Sequence, residues 1–407
     1  MLTVKSPAEA SALVYEKFGG IRTCPETVSL NCAVGRVLAE SIEAKEYIPG
    51  FDRSTVDGYA VYSADTFGCS ESIPAILVLN GEILMGEAPP APLSRGTCME
   101  IPTGGALPEG ADATVMLEYT EDYHDGTIGI VKAVAPGTNL IFKGDDVIPG
   151  QAVLNAGRRL YPHDIGALAA LGISAVPVAG RPTVGIISTG NELVDITRAP
   201  KEGQIRDVNS WLLDAAIIQA GGTARRYGII TDCEDSLRHA VESAKEECDL
   251  ILISGGSSVG TRDITLKTIE SMGEVFLHGI SVKPGKPTII GTLSGKPVFG
   301  LPGHPVAAHF IFECFIHPLI QKMMGATLRQ GSVKATLVEA VPSNHGKEEY
   351  LPVRLIEESQ VLYARPIRGK SGLISILLET NGYLRVPGDC EGIPAGTPVN
   401  IILYSTQ

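Results

Sequence analysis

Residues 250–263, reading LILISGGSSVGTRD, set the tightest limit on what this chain can fold into. Leu250, Ile251, Leu252 and Ile253 form an unbroken branched apolar run, as a strand buried on both faces requires. A turn through Gly255, Gly256, Ser257, Ser258, Val259 and Gly260 follows, and beyond Asp263 the pattern continues as a helix. A glycine-rich turn between a buried strand and a helix start gathers backbone N–H groups in one place. The helix dipole adds to them, and the result is an anion pocket. Asp263 beside it is the residue type that holds Mg²⁺. The stretch lacks the Lys-Ser/Thr ending of a P-loop and the glycine spacing of a dinucleotide site. Taken alone it reads equally well as a tight strand-to-helix turn. The case for function rests on what else reaches the same sheet edge.

From Arg181 to about Gly325 strands and helices alternate. Strands are expected at 184–188, 227–231, 250–254, 288–291 and 298–301, and helices at 210–220, at 235–247, after 263, and from Pro305 to near Met324. That is a doubly wound α/β domain with a mainly parallel sheet. Such sheets bind ligands past the carboxyl ends of their strands. Ser188, Gly190 and Glu192 follow one strand end, Asp232 a second, and the loop from Gly255 to Asp263 a third. One carboxylate after a strand is usually a helix cap. Glu192, Asp232 and Asp263 together predict a metal–phosphate site. The segment Lys283-Pro284-Gly285-Lys286-Pro287 holds two ammonium groups on a stiff backbone; it is either a solvated surface turn or an oxyanion clamp. Arg354 and Ser371, with Lys370, could complete such a clamp from further along the chain.

Ser6-Pro7-Ala8-Glu9 carries a capping box and opens a helix to Lys17 or Phe18. Residues 50–146 alternate short apolar runs with Pro and Gly and predict an inserted β domain; Asp57-Gly58 there reads as a turn. Residues 162–172 predict a short helix stopped by Gly172 and packed on the first helix. After Gly325 the helical period disappears, and short strands predict a closed or nearly closed C-terminal β domain. The expected division is a helical linker region (1–49 and 147–178), a β domain (50–146), an α/β domain (179–326) and a C-terminal β domain (327–407). The 407-residue chain carries a net charge of −13, which excludes nucleic-acid binding through a broad electrostatic surface. Its eight cysteines form no metal or disulfide spacing, and neither a signal pattern nor a membrane span is visible, so a reduced cytoplasmic protein is expected.

Six segments together carry a resemblance. They are Ser54-Thr55-Val56-Asp57-Gly58-Tyr59-Ala60, Pro102-Thr103-Gly104-Gly105, Ser188-Thr189-Gly190-Asn191-Glu192-Leu193, the run from Ser254 to Gly260 with Asp263, Lys283-Pro284-Gly285-Lys286-Pro287, and Gly300-Leu301-Pro302-Gly303-His304-Pro305. In this order and spacing the chain resembles the MoeA-type molybdopterin molybdenumtransferases, the family that includes the E domain of gephyrin. The resemblance implies a MogA-like α/β domain and a homodimer. It implies adenylylated molybdopterin and molybdate as substrates, Mg²⁺ as cofactor, AMP release, and transient contact with the adenylyltransferase of the preceding step and with molybdoenzymes. Tungstate is the alternative anion.

By motif match, the resemblance assigns Glu192, Asp232 and Asp263 to Mg²⁺ and the nucleotide phosphate. It assigns Ser188, Gly190, Gly255, Gly256, Ser257 and Gly260 to the substrate. Lys283, Lys286, Arg354 and Ser371 would clamp molybdate, and Pro302 and Pro305 would shape the wall. Asp57 and Thr103 would reach the site of a partner protomer. Three positions depart from the family pattern: Ile141 and Gly279 stand where cations are expected, and His304 where Asn is usual. A non-catalytic scaffold on the same fold is the rival reading. A pterin adenylyltransferase is the other, and it leaves most of the chain without a role.

Overall fold

A computed structural model describes residues 4–255, 259–327, 331–343 and 346–404, with the backbone alone for 259–263. Two compact units result. One comprises Met1–Glu40, Ala156–Leu160 and Val176–Gln407, and the other Ser41–Asn155 and Tyr161–Ala175.

The chain opens with helix α1 (Pro7–Phe18), and the capping box is formed. Ser6 N donates to Glu9 Oε2 at 2.8 Å and Glu9 N to Ser6 Oγ at 3.3 Å. Ala10, Val14 and Phe18 recur every four residues and make one buried stripe. That stripe joins the core of the α/β domain beside Leu213, Ile217 and Phe312. The second helix, α2 (Pro162–Ala170), falls in the other unit and ends before Gly172, whose φ of +71° suits glycine.

The inserted domain is a six-stranded sheet. Its strands are β1 (Gly58–Val61), β2 (Ala75–Glu82), β3 (Thr97–Ile101), β4 (Ala113–Met116), β5 (Thr120–Asp122) and β6 (Thr127–Ile130), in the order β4-β1-β3-β2-β6-β5. Alternation along β1 sends Tyr59 and Val61 into one core and Ala60 into another, so the strand is buried throughout. Gly58 is obligatory, because a Cβ there would lie 1.8 Å from the Val115 carbonyl oxygen.

The α/β domain has the expected alternation. Its strands are β7 (Thr183–Thr189), β8 (Thr223–Ile230), β9 (Leu250–Gly255), β10 (Glu274–His278), β12 (Ile289–Leu293) and β13 (Lys296–Leu301), with the short β11 (Val282–Lys283) between β10 and β12. The sheet order is β8-β7-β9-β13-β12-β10. The pairs from β8 to β13 are parallel, whereas the β13–β12 and β12–β10 pairs at one edge are antiparallel, so β12 alone runs against the others. Helices α3 (Asn209–Gln219), α4 (Glu234–Glu247) and α5 (Val259–Met272) connect the strands. The single helix expected from Pro305 to Met324 is broken into α6 (Pro305–Ile311), a π-helical turn at Phe312–Ile316, and α7 (His317–Met323). Pro318 supplies the reason: it has no N–H for the preceding turn, and its ring crowds the carbonyl four residues back, so the turn widens.

The C-terminal strands are β14 (Ser332–Leu337), β15 (Glu348–Glu358), β16 (Val361–Pro366), β17 (Gly382–Val386) and β18 (Pro398–Leu403). They run β15-β16-β14-β18-β17, and β17 pairs back with β15, so the barrel closes on five strands. Two features tie this barrel to the α/β domain. Strand β11 adds to β15 in parallel, with Lys283 opposite Glu349. Phe310 of α6 packs edge-on against Tyr383 at 5.4 Å and beside Tyr350 at 6.0 Å, within the same core as the sheet.

Candidate active site

The parallel strands end in register at one edge. Ser188 pairs with Ser254, Thr189 with Gly255 and with Ile230, and Ser254 with Leu301. The loops carrying the predicted carboxylates therefore leave from a common line, as the alternation requires. Thr189 Oγ1 donates to Asp232 Oδ1 at 2.9 Å, and Asn191 N donates to Asp232 Oδ2 at 3.3 Å. Asp232 N returns a bond to Asn191 Oδ1 at 3.2 Å. The two loops are thus clasped together. Glu192 folds back over the turn, so that a Cβ on Gly190 would meet its carboxylate at 2.8 Å. Glycine at 190 is what allows the carboxylate so close to the backbone.

Two carboxylates of different loops flank one turn. Hard oxygen donors of this kind fit Mg²⁺, which is held by one or two carboxylates while substrate phosphates and water fill the rest. Among the described residues no group of three or more His, Cys, Asp or Glu could hold a metal. Gly256 and Ser257 lie outside the described residues, as do the side chain of Asp263 and the surroundings of Gly260.

Behind this edge, Asn209 at the start of α3 is buried. Its Nδ2 donates to Ser254 Oγ and to the Gly303 carbonyl oxygen, each at 2.9 Å. The amide therefore ties the end of β9 to the turn that follows β13. Asn209 Oδ1 and Ser188 Oγ are buried with no hydrogen-bond partner among the described residues. Unpaired buried acceptors and hydroxyls at a strand edge are costly, and a polar ligand would relieve them. Asn209 was not anticipated from the sequence, where it is only one polar residue at a helix start.

The second half of the site is a cavity of about 300 Å³. Lys283, Lys286, Pro302, His304, Lys347 and Ser371 line it, with the Val282 and Gly285 segment as floor. Gly285 has φ +123°, and a Cβ there would lie 2.7 Å from Ile311 Cδ1, so this turn is built for glycine. Lys283 Nζ pairs with Glu349 Oε1 at 2.9 Å. His304 Nδ1 and Ser371 Oγ are 2.7 Å apart, and Val306 N donates to the Ser371 carbonyl oxygen at 3.1 Å. The predicted clamp residues Lys283, Lys286 and Ser371 thus come together.

Arg354 does not join them. It is exposed midway along β15, opposite Arg365, and is absent from the cavity lining. Five residues of extended strand separate it from Glu349, roughly 16 Å. Lys347 stands in its place, brought in by the β11–β15 pairing; its position carries no sequence signal by itself. Pro305 opens α6 next to the lining rather than in it.

In the inserted domain, Thr103 N donates to Asp57 Oδ1 at 2.7 Å. Both residues are exposed, on loops clasped by Gly104 N to Ser54 O at 2.8 Å and Ser54 N to Gly105 O at 3.0 Å. Asp57 is therefore more than a turn residue. Two of the departures from the family pattern also find local reasons. Gly279 has φ +105°, which a lysine or arginine would adopt only under strain. Ile141 pairs with Arg53 across a short antiparallel ladder, so a cation stands beside that position.

An α/β sheet with carboxylates at its carboxyl edge, joined in one unit to a lysine-lined cavity and a five-stranded barrel, is the arrangement of a multidomain α/β enzyme. Three family models match the chain in order. They are the MoeA N-terminal region (domains I and II) over residues 5–172, a model described as "Probable molybdopterin binding domain" over 185–322, and the MoeA C-terminal region (domain IV) over 334–404. A molybdopterin biosynthesis protein of Methanocaldococcus jannaschii is 36% identical over 91% of this chain and 90% of its own length. The molybdopterin molybdenumtransferase of Bacillus subtilis is 31% identical over 94% of this chain and 90% of its own. The crystal structure of the molybdopterin biosynthesis MoeA protein from Pyrococcus horikoshii superposes with a TM-score of 0.87 at 36% identity, covering 99% of this chain and 100% of that one. The chain belongs to the MoeA family.

Proposed function

We propose that the protein is a molybdopterin molybdenumtransferase of molybdenum cofactor biosynthesis, taking adenylylated molybdopterin and molybdate and releasing AMP. The observation that carries this reading is the pairing, within one compact unit, of a carboxylate-bearing strand edge with a separate cavity lined by three lysines. A pterin adenylyltransferase needs only the first of these.

Molybdate is a tetrahedral dianion, and Lys283, Lys286 and Lys347 supply charge-assisted donors for it. Ser371 supplies a neutral hydroxyl. Pro302 and Pro284 stiffen the walls, so the donors are set before the anion arrives. The strand ends at Ser188, Gly190 and Gly255 receive the phosphate-bearing part of the substrate, and Asn209 fixes the distance between that edge and the cavity wall. Mg²⁺ would be held by Glu192 and Asp232, with Asp263 as the third expected ligand, and when bound it neutralises phosphate charge. Asp57 and Thr103 are assigned to the site of a partner protomer in a homodimer. No helix among the described residues is long and apolar enough to cross a membrane.

The test is AMP release from adenylylated molybdopterin with Mg²⁺, with and without molybdate and with tungstate in parallel. Anion-stimulated release is expected, and the better anion names the physiological metal. A folded protein that binds the adenylylated pterin yet shows no anion stimulation would overturn the transferase reading in favour of a binding or scaffold role.

A further inference from the structure

The cavity contains one contact whose chemistry depends on where a single proton sits. His304 Nδ1 and Ser371 Oγ are 2.7 Å apart, and either atom could donate. The Ser371 backbone is anchored, because its carbonyl oxygen accepts from Val306 N in the first turn of α6. What remains free is the hydroxyl hydrogen. When Nδ1 carries no hydrogen, the serine donates to it, and only serine lone pairs are left for the cavity. When Nδ1 carries a hydrogen, the serine accepts, and its own O–H is released as a donor. An oxyanion is repelled by the first arrangement and bound by the second.

The geometry points to His304 as a positioning residue for oxyanion binding, its proton deciding whether Ser371 presents a hydrogen or lone pairs to the cavity. This rests on the reading of the cavity as the oxyanion site. The charged groups lining the cavity with His304 are Lys283 and Lys286 from the segment at β11 and Lys347 from the segment before β15; Glu349 pairs with Lys283, and Lys370 precedes Ser371 in the chain. Glu349, the one acid in that set, is engaged by Lys283, so an incoming dianion becomes the counter-charge for an imidazolium. Binding of the anion and protonation of His304 are then linked, and each favours the other. His304 is exposed, so its replacement does not open a core.

The experiment is calorimetric titration of the full-length protein with molybdate, and separately with tungstate, between about pH 6 and pH 8, the range in which an imidazole changes charge. Running it in buffers of different ionisation enthalpy counts the protons taken up. Wild-type affinity is expected to rise as pH falls, by up to about tenfold per pH unit, with up to about one proton taken up per anion. In His304→Asn the side-chain amide donates to Ser371 at every pH. Affinity is expected to persist while the pH slope and proton uptake disappear. Lys347→Ala is expected to weaken binding about tenfold at every pH with the slope retained. A flat wild-type profile, or a slope in His304→Asn equal to that of wild type, would overturn the role of His304. Absence of anion binding to the wild type, or binding indifferent to Lys283→Ala, would instead overturn the cavity reading itself.

Discussion

Lys283 Nζ lies 2.9 Å from Glu349 Oε1, and the two residues are also directly opposite each other where β11 pairs with β15. The pairing that brings the barrel to the α/β domain therefore also aims a clamp lysine. The carboxylate has two opposing effects on a dianion in the cavity: it steadies the ammonium and it cancels part of its charge. Lys283 is 56% exposed, so the ion pair is screened and contributes little to folding. Lys283→Ala should weaken molybdate binding about tenfold, the scale of one charge-assisted hydrogen bond. Glu349→Gln should tighten it by a few-fold, because the amide still accepts from the ammonium while the repulsion is gone. Anion titration at two salt concentrations checks both. If Glu349→Gln weakens binding as much as Lys283→Ala does, the carboxylate acts by orientation and the charge argument fails.

Asp57 Oδ1 accepts from Thr103 N at 2.7 Å, which leaves its second oxygen and its charge for another task. Asp57→Asn preserves the loop contact through the amide oxygen and removes the charge. Asp57→Ala removes both. If Asp57 acts on the substrate, both variants lose AMP release to a similar degree, by about a hundredfold or more, the scale of a general acid–base or electrostatic contribution. Equal thermal stability would accompany the loss in Asp57→Asn. Near-normal turnover in Asp57→Asn would reduce Asp57 to a loop clasp.

The α/β domain was legible because its strands alternate with helices at short spacing, and each of the expected strands appears within a few residues of its place. Loops after parallel strands must share an edge, so Glu192 and Asp232 could be brought together before any contact was known. The barrel was legible as a set of short strands, and its closure was one of the forms anticipated. What pattern could not give was contact between distant strands. Lys347 reaches the cavity only because β11 adds to β15, and Arg354, a few residues along the same strand, is carried away from it by strand rise alone. The edge strand β10 and the π-helical turn at Phe312–Ile316 were also invisible to periodicity. The first is a three-residue apolar run between Gly273 and Gly279, too short to show a period, and the second depends on one missing N–H. His304 stood out in the sequence as a departure, but its partner Ser371 is far along the chain.

Phe310 links the packing of the two domains to the cavity. It is fully buried, meets Tyr383 edge-on and stacks beside Tyr350 of the barrel, and sits on α6, whose first turn anchors Ser371. Phe310→Ala should cost about 3–5 kcal/mol of stability, from lost burial and the cavity left behind. Phe310→Leu should cost markedly less, because it refills most of the volume. Denaturant unfolding gives the stability, and anion titration on the still-folded variants gives the consequence for the site. Phe310→Ala is expected to weaken molybdate binding although it touches no cavity-lining charge. Loss of stability with unchanged anion affinity would show that the cavity does not depend on this aromatic contact.

Thiol chemistry offers a readout of the phosphate edge, because the cysteines differ in environment. Burial pushes the Cys98 and Cys314 thiols up to about 12, which leaves almost no thiolate near neutral pH. Cys233 is exposed at the start of α4, directly after Asp232. The backbone amide of Ser236, then that of Asp235, and the Ser236 side chain hold its thiol below the usual range. A lowered thiol pKa raises the thiolate fraction at any given pH, so Cys233 should react first with iodoacetamide near neutral pH, ahead of the exposed Cys24 and Cys32. Cys98 should label only in denaturant, and Cys314, partly exposed, should label more slowly than the exposed thiols. Peptide mapping by mass spectrometry over a time course follows all of them at once. Because Cys233 adjoins Asp232, Mg²⁺ with the adenylylated substrate should slow its labelling several-fold while leaving Cys24 and Cys32 unchanged. Labelling of Cys233 that is indifferent to substrate and metal would place the phosphate away from Asp232 and remove that residue from the site.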